Sequence, residues 1–220
     1  MSLKVVVFNG PPRSAKDTAA NHLVDLINSQ EGSLVAHKRN FKDQLVAIAA
    51  KILGKTSEGF MSRYDERTLD VIKDPTPLCN YPEWYKDYSY TVNQRVVNKQ
   101  YSKREWLIYV SEEVIKPFFG DQALGRMFVN SLPEEGIVFC GDSGFASELQ
   151  PVIDHVGVEN VLVVRIQREG CTFEGDSRSY LVPDMFEQDV KFIQILNNGT
   201  EDEFKSEVEK EVGAWMNENL

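Results

Sequence analysis

Leu3-Lys4-Val5-Val6-Val7-Phe8-Asn9-Gly10-Pro11-Pro12-Arg13-Ser14-Ala15-Lys16-Asp17-Thr18 is the stretch from which the fold is read. Apart from Lys4, residues 3 to 8 are apolar and rich in Val, the pattern of a short strand buried on both faces. Asn9 to Ala15 supply turn residues, and helical spacing begins at Lys16. A strand, a Gly/Pro-rich loop and a helix opening on a lysine make the layout of a phosphate-binding loop, usually spelled G-x-x-x-x-G-K-[ST]. Gly10, Lys16 and their spacing fit that spelling, whereas Ala15 replaces the second glycine and Asp17 the hydroxyl residue. The alternative reading is a strand-to-helix turn with an incidental lysine.

The chemistry decides which departures matter. Backbone N–H groups at a helix N-terminus form a concave anion site, and the lysine adds a point charge for the β- and γ-phosphates. A methyl group at position 15 matters most if that residue needs a positive φ. Asp17 puts a carboxylate where a hydroxyl would face Mg²⁺, so a metal there would be held by Asp17 directly or through water, with Thr18 the next hydroxyl along.

The 220 residues suit one domain, or a core with an insertion, and are enough to bury a substantial core. A net charge of −10 and a pI of about 4.9 argue against nucleic acid as a partner, because neutralising many phosphates needs a basic face. A small anion in a local basic pocket is still allowed. Cys79, Cys140 and Cys171 are odd in number and lack a C-x-x-C pair, which points to reduced thiols in a cytoplasmic compartment and away from metal ligation. The apolar stretches near residues 5–8 and 161–164 are too short for a membrane span, and no signal-peptide pattern opens the chain.

Along the chain, Ala19, Ala20, Leu23, Leu26 and Ile27 mark a helix to Asn28, Leu34 to Ala36 a short strand, and Phe41 to Ile52 a second amphipathic helix with Lys42 in its first turn. His22 reads as a satisfied or solvent-facing side chain. Residues 55–101 lose the strand–helix alternation and gather Tyr81, Trp84, Tyr85, Tyr88 and Tyr90, as an insertion would. Ser102 and Glu105 form a capping-box pattern that places Arg104 at a helix N-terminus, and a helix after Asp121 carries Arg126. Gly136 to Asp142 is a third strand ending in a carboxylate. Asp142 therefore either coordinates Mg²⁺ or positions a substrate group, or it caps the helix that follows. That helix, around 146–155, tolerates Pro151 only in its first turn. Strands over 160–166 and 192–196 flank an arginine-bearing segment (Arg165, Arg168, Arg178) suited to a mobile lid, and Thr200 with Glu203 caps a last helix. About five apolar strands alternating with helices predict an α/β chain: a parallel sheet with helices on both faces.

With these residues assembled, the chain resembles the deoxynucleoside monophosphate kinases of tailed bacteriophages, a branch of the P-loop nucleoside monophosphate kinase superfamily. Gly10 to Thr18 is similar to that family's G-x-x-R-S-G-K-D-T, in which Asp follows the lysine, so Asp17 belongs to the likeness. Phe41 to Leu45, Ser102 to Leu107, Asp176 to Ser179 and Asn197 to Thr200 resemble further family segments, so the likeness runs nearly end to end. Ala15 departs from a family glycine, and Gly144 stands where the family usually has an arginine two residues after the aspartate.

The resemblance implies a three-layer P-loop NTPase fold over 1–220, with a helical insertion at 55–135 forming the acceptor side and a lid at 167–190. It implies transfer of the ATP γ-phosphoryl group to a deoxynucleoside 5′-monophosphate, with ATP and Mg²⁺ required. Gly10, Arg13, Ser14, Ala15, Lys16, Asp17, Thr18 and Asn198 would bind ATP. Asp17, Thr18 and Asp142 would hold Mg²⁺, and Lys16, Arg165, Arg168 and Asp142 would act in catalysis. Lys42, Arg104, Arg126 and Arg178 would meet the acceptor, with Arg13 a further cation for its phosphate. The expected partners are small-molecule nucleotides, with no nucleic acid and no membrane; a homodimer is compatible with the sequence, and the compartment is the cytoplasm, of the host if the origin is a phage. The rivals are a kinase of another phosphorylated metabolite and a degenerate nucleotide-binding scaffold.

Overall fold

Val5, Val6, Val7 and Phe8 are wholly buried because the strand they form is the middle one of its sheet. The computed structural model describes residues 2–62 and 101–219. Its elements, in chain order, are β1 (Lys4–Asn9), α1 (Lys16–Ser29), β2 (Ala36–Lys38), α2 (Lys42–Ile52), α3 (Ser57–Met61) and α4 (Lys103–Tyr109). A π-helical stretch (Val110–Ile115) and α5 (Lys116–Phe119) come next, then α6 (Ala123–Val129), β3 (Ile137–Ser143), α7 (Ala146–Val156), β4 (Val161–Gln167), β5 (Lys191–Leu196) and α8 (Glu201–Asn219). Cys79 and the aromatic group expected at 81–90 lie outside the described residues.

All five strands are parallel, in the order β2-β3-β1-β4-β5. Val6, Phe8, Ile137, Phe139, Leu162 and Val164 form one core with Ala19, Ala20 and Leu23 of α1 and Phe204, Val208 and Val212 of α8. The alternate residues Val5, Val7, Val138, Cys140, Val161 and Val163 form a second core with Phe128 of α6 and Leu149, Val152 and Ile153 of α7. Strand alternation thus feeds two helical layers, the three-layer α/β arrangement predicted from the apolar runs. From β1 the chain crosses outward to β2 and later returns past β1 to β4. The carboxyl end of β1 therefore lies at the switch point, where an open α/β sheet offers a crevice.

The chain divides into two compact units, Met1–Asp43 with Asp121–Leu220, and Gln44–Gly120. Helix α6, inside the span expected for the insertion, belongs to the sheet unit and packs so closely on α7 that a Cβ on Gly125 would collide with the Glu148 carbonyl oxygen. In the second unit, Trp106 donates to the Ala49 carbonyl (3.1 Å), and its ring clusters with those of Tyr101 and Tyr109, each in contact with the other two. Ser102 and Glu105 make the predicted capping box on α4, and Thr200 with Glu203 makes the one on α8. His22 is paired with Glu209 of α8.

One local expectation is corrected. Pro151 sits in the interior of α7 and not in its first turn, because the helix already starts at Ala146. The ring removes one helical hydrogen bond there. Within the segment 167–190, Leu181 is fully buried and Tyr180 donates from its hydroxyl to the Ile166 carbonyl (3.1 Å).

Candidate phosphate-binding site

The loop after β1 is shaped by backbone requirements that its sequence only partly advertises. A Cβ on Gly10 would lie 2.6 Å from the Ile166 carbonyl oxygen and 2.7 Å from Ser14 Oγ, so only glycine fits. Arg13 (φ 66°) and Ala15 (φ 76°) both adopt the left-handed conformation. Ala15 is the residue preceding α1, which gives the missing glycine a physical meaning: the backbone needs the conformation glycine adopts freely. Having no polar side chain, Ala15 provides no cap to the α1 N-terminus, and the helix opens with its N–H groups and positive dipole end directed at the loop.

Lys16 is folded back over this loop. Its Nζ donates to the Pro11 carbonyl (2.7 Å) and to Ser14 Oγ (3.5 Å), and the residue is buried. Burial, followed by the nearby Arg178 charge, lowers its pKa to about 8, against the pull of Asp17, Asp176 and Asp142. The loop is pinned from below by Asn197, whose Nδ2 donates to the Ser14 carbonyl (3.0 Å). The neighbouring Asn198, the residue expected at the nucleotide, accepts from the Glu169 N–H (2.9 Å).

Asp17 projects from the first turn of α1 and accepts from Lys38 Nζ of β2 (2.8 Å). Burial works to raise its pKa, but the Lys38 hydrogen bond and the charges of Lys38, Lys42 and Lys16 carry it below the ordinary value. It lies against Gly141 of β3, where a Cβ would be 3.0 Å from Asp17 Oδ1. Thr18 is half-buried beside it.

Asp142 does not cap the helix that follows it; α7 has Phe145 at that position with no side-chain bond. β3 carries one extra residue between Cys140 and Ser143 relative to β1, and such a bulge re-aims side chains. The Asp142 carboxylate accepts the Phe41 N–H (2.9 Å) and the Lys42 N–H (3.0 Å), so it caps α2, a helix 100 residues earlier in the chain. Cys140 Sγ is a further donor at 3.2 Å. Burial raises the Asp142 pKa, opposed by the Lys42 charge and these donors.

The remaining predicted residues separate. Arg168 reaches the loop and donates to the Arg13 carbonyl (3.4 Å). Arg178 stands near enough to Lys16 to depress its pKa and is paired with Asp176. Arg165 shares its strand face with Val161 and Val163, the side opposite α1; its Nη2 donates to Gln194 Oε1 (3.2 Å) and its guanidinium lies over Phe192. Arg126 lies on α6 with Gln122 one turn away (3.5 Å), and Arg104 belongs to the Gln44–Gly120 unit. Asn9, Lys38, Asp176 and Asn197 received no site role from the sequence; Asn9, Lys38 and Asn197 act through partners distant in sequence, and Asp176 through Arg178 two residues on.

The donor chemistry fits a magnesium nucleotide. The tight turn at Gly10, the uncapped start of α1 and the Lys16 ammonium suit a polyphosphate. Among the described residues no three acidic, His or Cys side chains converge. Asp17 and Thr18, with Asp142 engaged by backbone donors, suit Mg²⁺, which is commonly bound by one or two carboxylates together with substrate phosphates and water. No helix among the described residues is long and apolar enough to cross a membrane. No family model and no curated protein matches the chain.

Proposed function

We propose that the protein is a kinase that transfers the γ-phosphoryl group of ATP to a deoxynucleoside 5′-monophosphate, giving ADP and the deoxynucleoside diphosphate. The observation that carries this reading is Lys16 folded over a loop with two left-handed residues at the uncapped start of α1, beside the central strand. The resemblance in the Gly10–Thr18 spelling supplies the substrate class.

In the proposed reaction an acceptor phosphate oxygen forms a bond to the γ-phosphorus as the bond to the β-phosphate oxygen breaks. The acceptor oxygen is already a competent nucleophile, so the protein contributes mainly position and charge. Lys16 and the α1 N–H groups would hold the donor phosphates, with Arg13 and Arg168 at the mouth of the loop. Asp17 and Thr18 would hold Mg²⁺, which when bound partly neutralises the phosphate charge. Asp142 orients the start of α2, and with it Lys42, toward the same edge. Lys42 and Arg126 are proposed to meet the acceptor, and Arg178, near Lys16, the phosphoryl group in transfer. Arg165, turned to the other face, is the weakest member of the set.

A second reading, nucleotide binding without transfer, has one observation in its favour: Ala15 holds a conformation that glycine adopts without strain. Turnover separates the two. A Lys16→Ala protein is expected to lose on the order of 10²-fold or more in turnover, as for other removed transition-state contacts. A folded variant that phosphorylates every dNMP as fast as the parent overturns the kinase reading.

A further inference from the structure

Arg178 lies in the segment whose composition suggests a mobile lid, yet the structure ties that part of it to the sheet. Asn9, the last residue of β1, is fully buried, and its side chain makes three bonds. Nδ2 donates to the Ser143 carbonyl (3.2 Å) and the Ser179 carbonyl (3.0 Å), while Oδ1 accepts the Leu181 N–H (2.8 Å). The Ser179 N–H donates in turn to the Gly144 carbonyl (3.4 Å). One side chain at the root of the phosphate loop therefore fixes residues 179–181 against the ends of β1 and β3.

The position this gives Arg178 depends on an absent side chain. A Cβ on Gly144 would fall 2.5, 2.6 and 2.8 Å from Arg178 Cβ, Cγ and Cδ, so the arginine stem lies directly on the glycine backbone. These are the near atoms of the arginine, which cannot yield by a change of the terminal rotamer alone. At its far end the guanidinium is gripped by Asp176, Nε to Oδ1 at 2.9 Å and Nη2 to Oδ2 at 2.7 Å. The Asp176 side chain is 3% exposed and that of Arg178 25%, so the anchor is dry while the cation still meets solvent. A fork held at two points loses little freedom when it binds a further oxyanion.

We infer that Arg178 is a preset cation of the phosphate site, seated on Gly144, held by Asp176 and fastened to β1 through Asn9, and that Gly144 and Asp176 are positioning residues acting through it. This rests on the reading of the Gly10–Thr18 loop as a polyphosphate site. A core-mounted arginine is in place before the anion arrives, whereas a lid arginine must be carried in. It also gives Gly144 a physical reason: any larger residue displaces the cation.

The test is a mutant cycle on the intact protein, read as calorimetric affinity for inorganic tripolyphosphate. Arg178→Gly removes the three atoms nearest to a new Cβ, and Gly144→Ala supplies that Cβ. Each single variant is expected to bind tripolyphosphate on the order of tenfold or more weakly, the loss of one charge-assisted contact. The double variant is expected to bind no worse than Arg178→Gly alone; because both proteins that carry Arg178→Gly remove the arginine partner of the buried Asp176 carboxylate, they are expected to unfold at a lower temperature than the parent, and all affinities are compared at a temperature where every variant is folded. Parent-like affinity in Gly144→Ala overturns the inference, as do losses that multiply in the double variant or a parent that does not bind tripolyphosphate. Arg178→Lys, which keeps the charge and lacks the fork, is expected to fall between parent and Arg178→Gly; full parent affinity for it would contradict a fork held by Asp176. Failure of the parent to turn over any nucleotide counts against the kinase reading alone, because the affinity cycle is scored without catalysis.

Discussion

Replacing Lys16 by Met keeps an unbranched side chain of similar length and removes the ammonium, so it isolates the cost of holding that charge in the loop. Lys16 is 7% exposed, and burial is the first cause lowering its pKa from 10.5 to about 8. A displacement of that size corresponds to about 3 kcal/mol between the charged and neutral forms. The sign follows from proton counting. Between about pH 8 and pH 10.5 the unfolded lysine still holds its proton while the folded one has released it. The unfolded state then binds more protons, so unfolding free energy rises with pH through this window and is flat below it. Urea unfolding of the parent and Lys16→Met at a series of pH values is the assay, with the variant cancelling all other titrations. The parent is expected to gain up to about 3 kcal/mol relative to the variant across the window. A difference that stays constant within about 0.5 kcal/mol refutes the reasoning, since it would mean an ordinary lysine in the folded state. An oxyanion beside Lys16 restores its proton, so tripolyphosphate affinity should also fall as pH rises above about 8.

Asn9→Ala removes three hydrogen bonds and strands the buried Leu181 N–H, and a loss of about 2–4 kcal/mol in chemical denaturation is expected; a loss below about 1 kcal/mol would contradict the clamp. At position 15, Gly is expected to be tolerated within about 1 kcal/mol, because relief of the left-handed alanine is offset by a freer unfolded chain, whereas Val should destabilise by more than about 1 kcal/mol. Equal stability of the two variants would argue against a required positive φ. Asp142→Asn turns one of two accepting oxygens into a donor facing a backbone N–H, which should cost on the order of 2 kcal/mol in urea unfolding. An Asp142→Asn protein as stable as the parent would show that the α2 cap carries no weight.

The apolar run at 5–8 and its counterparts at 137–140 and 161–164 were legible because a strand buried on both faces needs nothing from its partners beyond apolarity. Arg165, grouped by sequence with the lid segment, is carried by β4, and which sheet face receives α1 depends on the crossover, which is not written locally. Asp142 shows a different limit. Its position at a strand end was readable, but its target, the start of α2, became a neighbour only through the pairing of β2 with β3 and the bulge at 141–142. Asn9 resembled an ordinary turn residue, since its bonds to residues 179 and 181 span most of the chain. Gly144 was visible as a departure from the resembled family, and only the position of Arg178 turns that departure into a packing requirement.

Phosphoryl transfer at the Gly10–Thr18 loop is put to the test by acceptor-dependent ADP release from Mg-ATP, measured for the parent and Lys16→Ala across the common deoxynucleoside and ribonucleoside monophosphates. At least one deoxynucleoside monophosphate is predicted to drive ADP release above the rate with ATP alone, falling on the order of 10²-fold in the variant. A parent protein that binds ATP yet releases no more ADP with any acceptor than without one contradicts phosphoryl transfer at this loop.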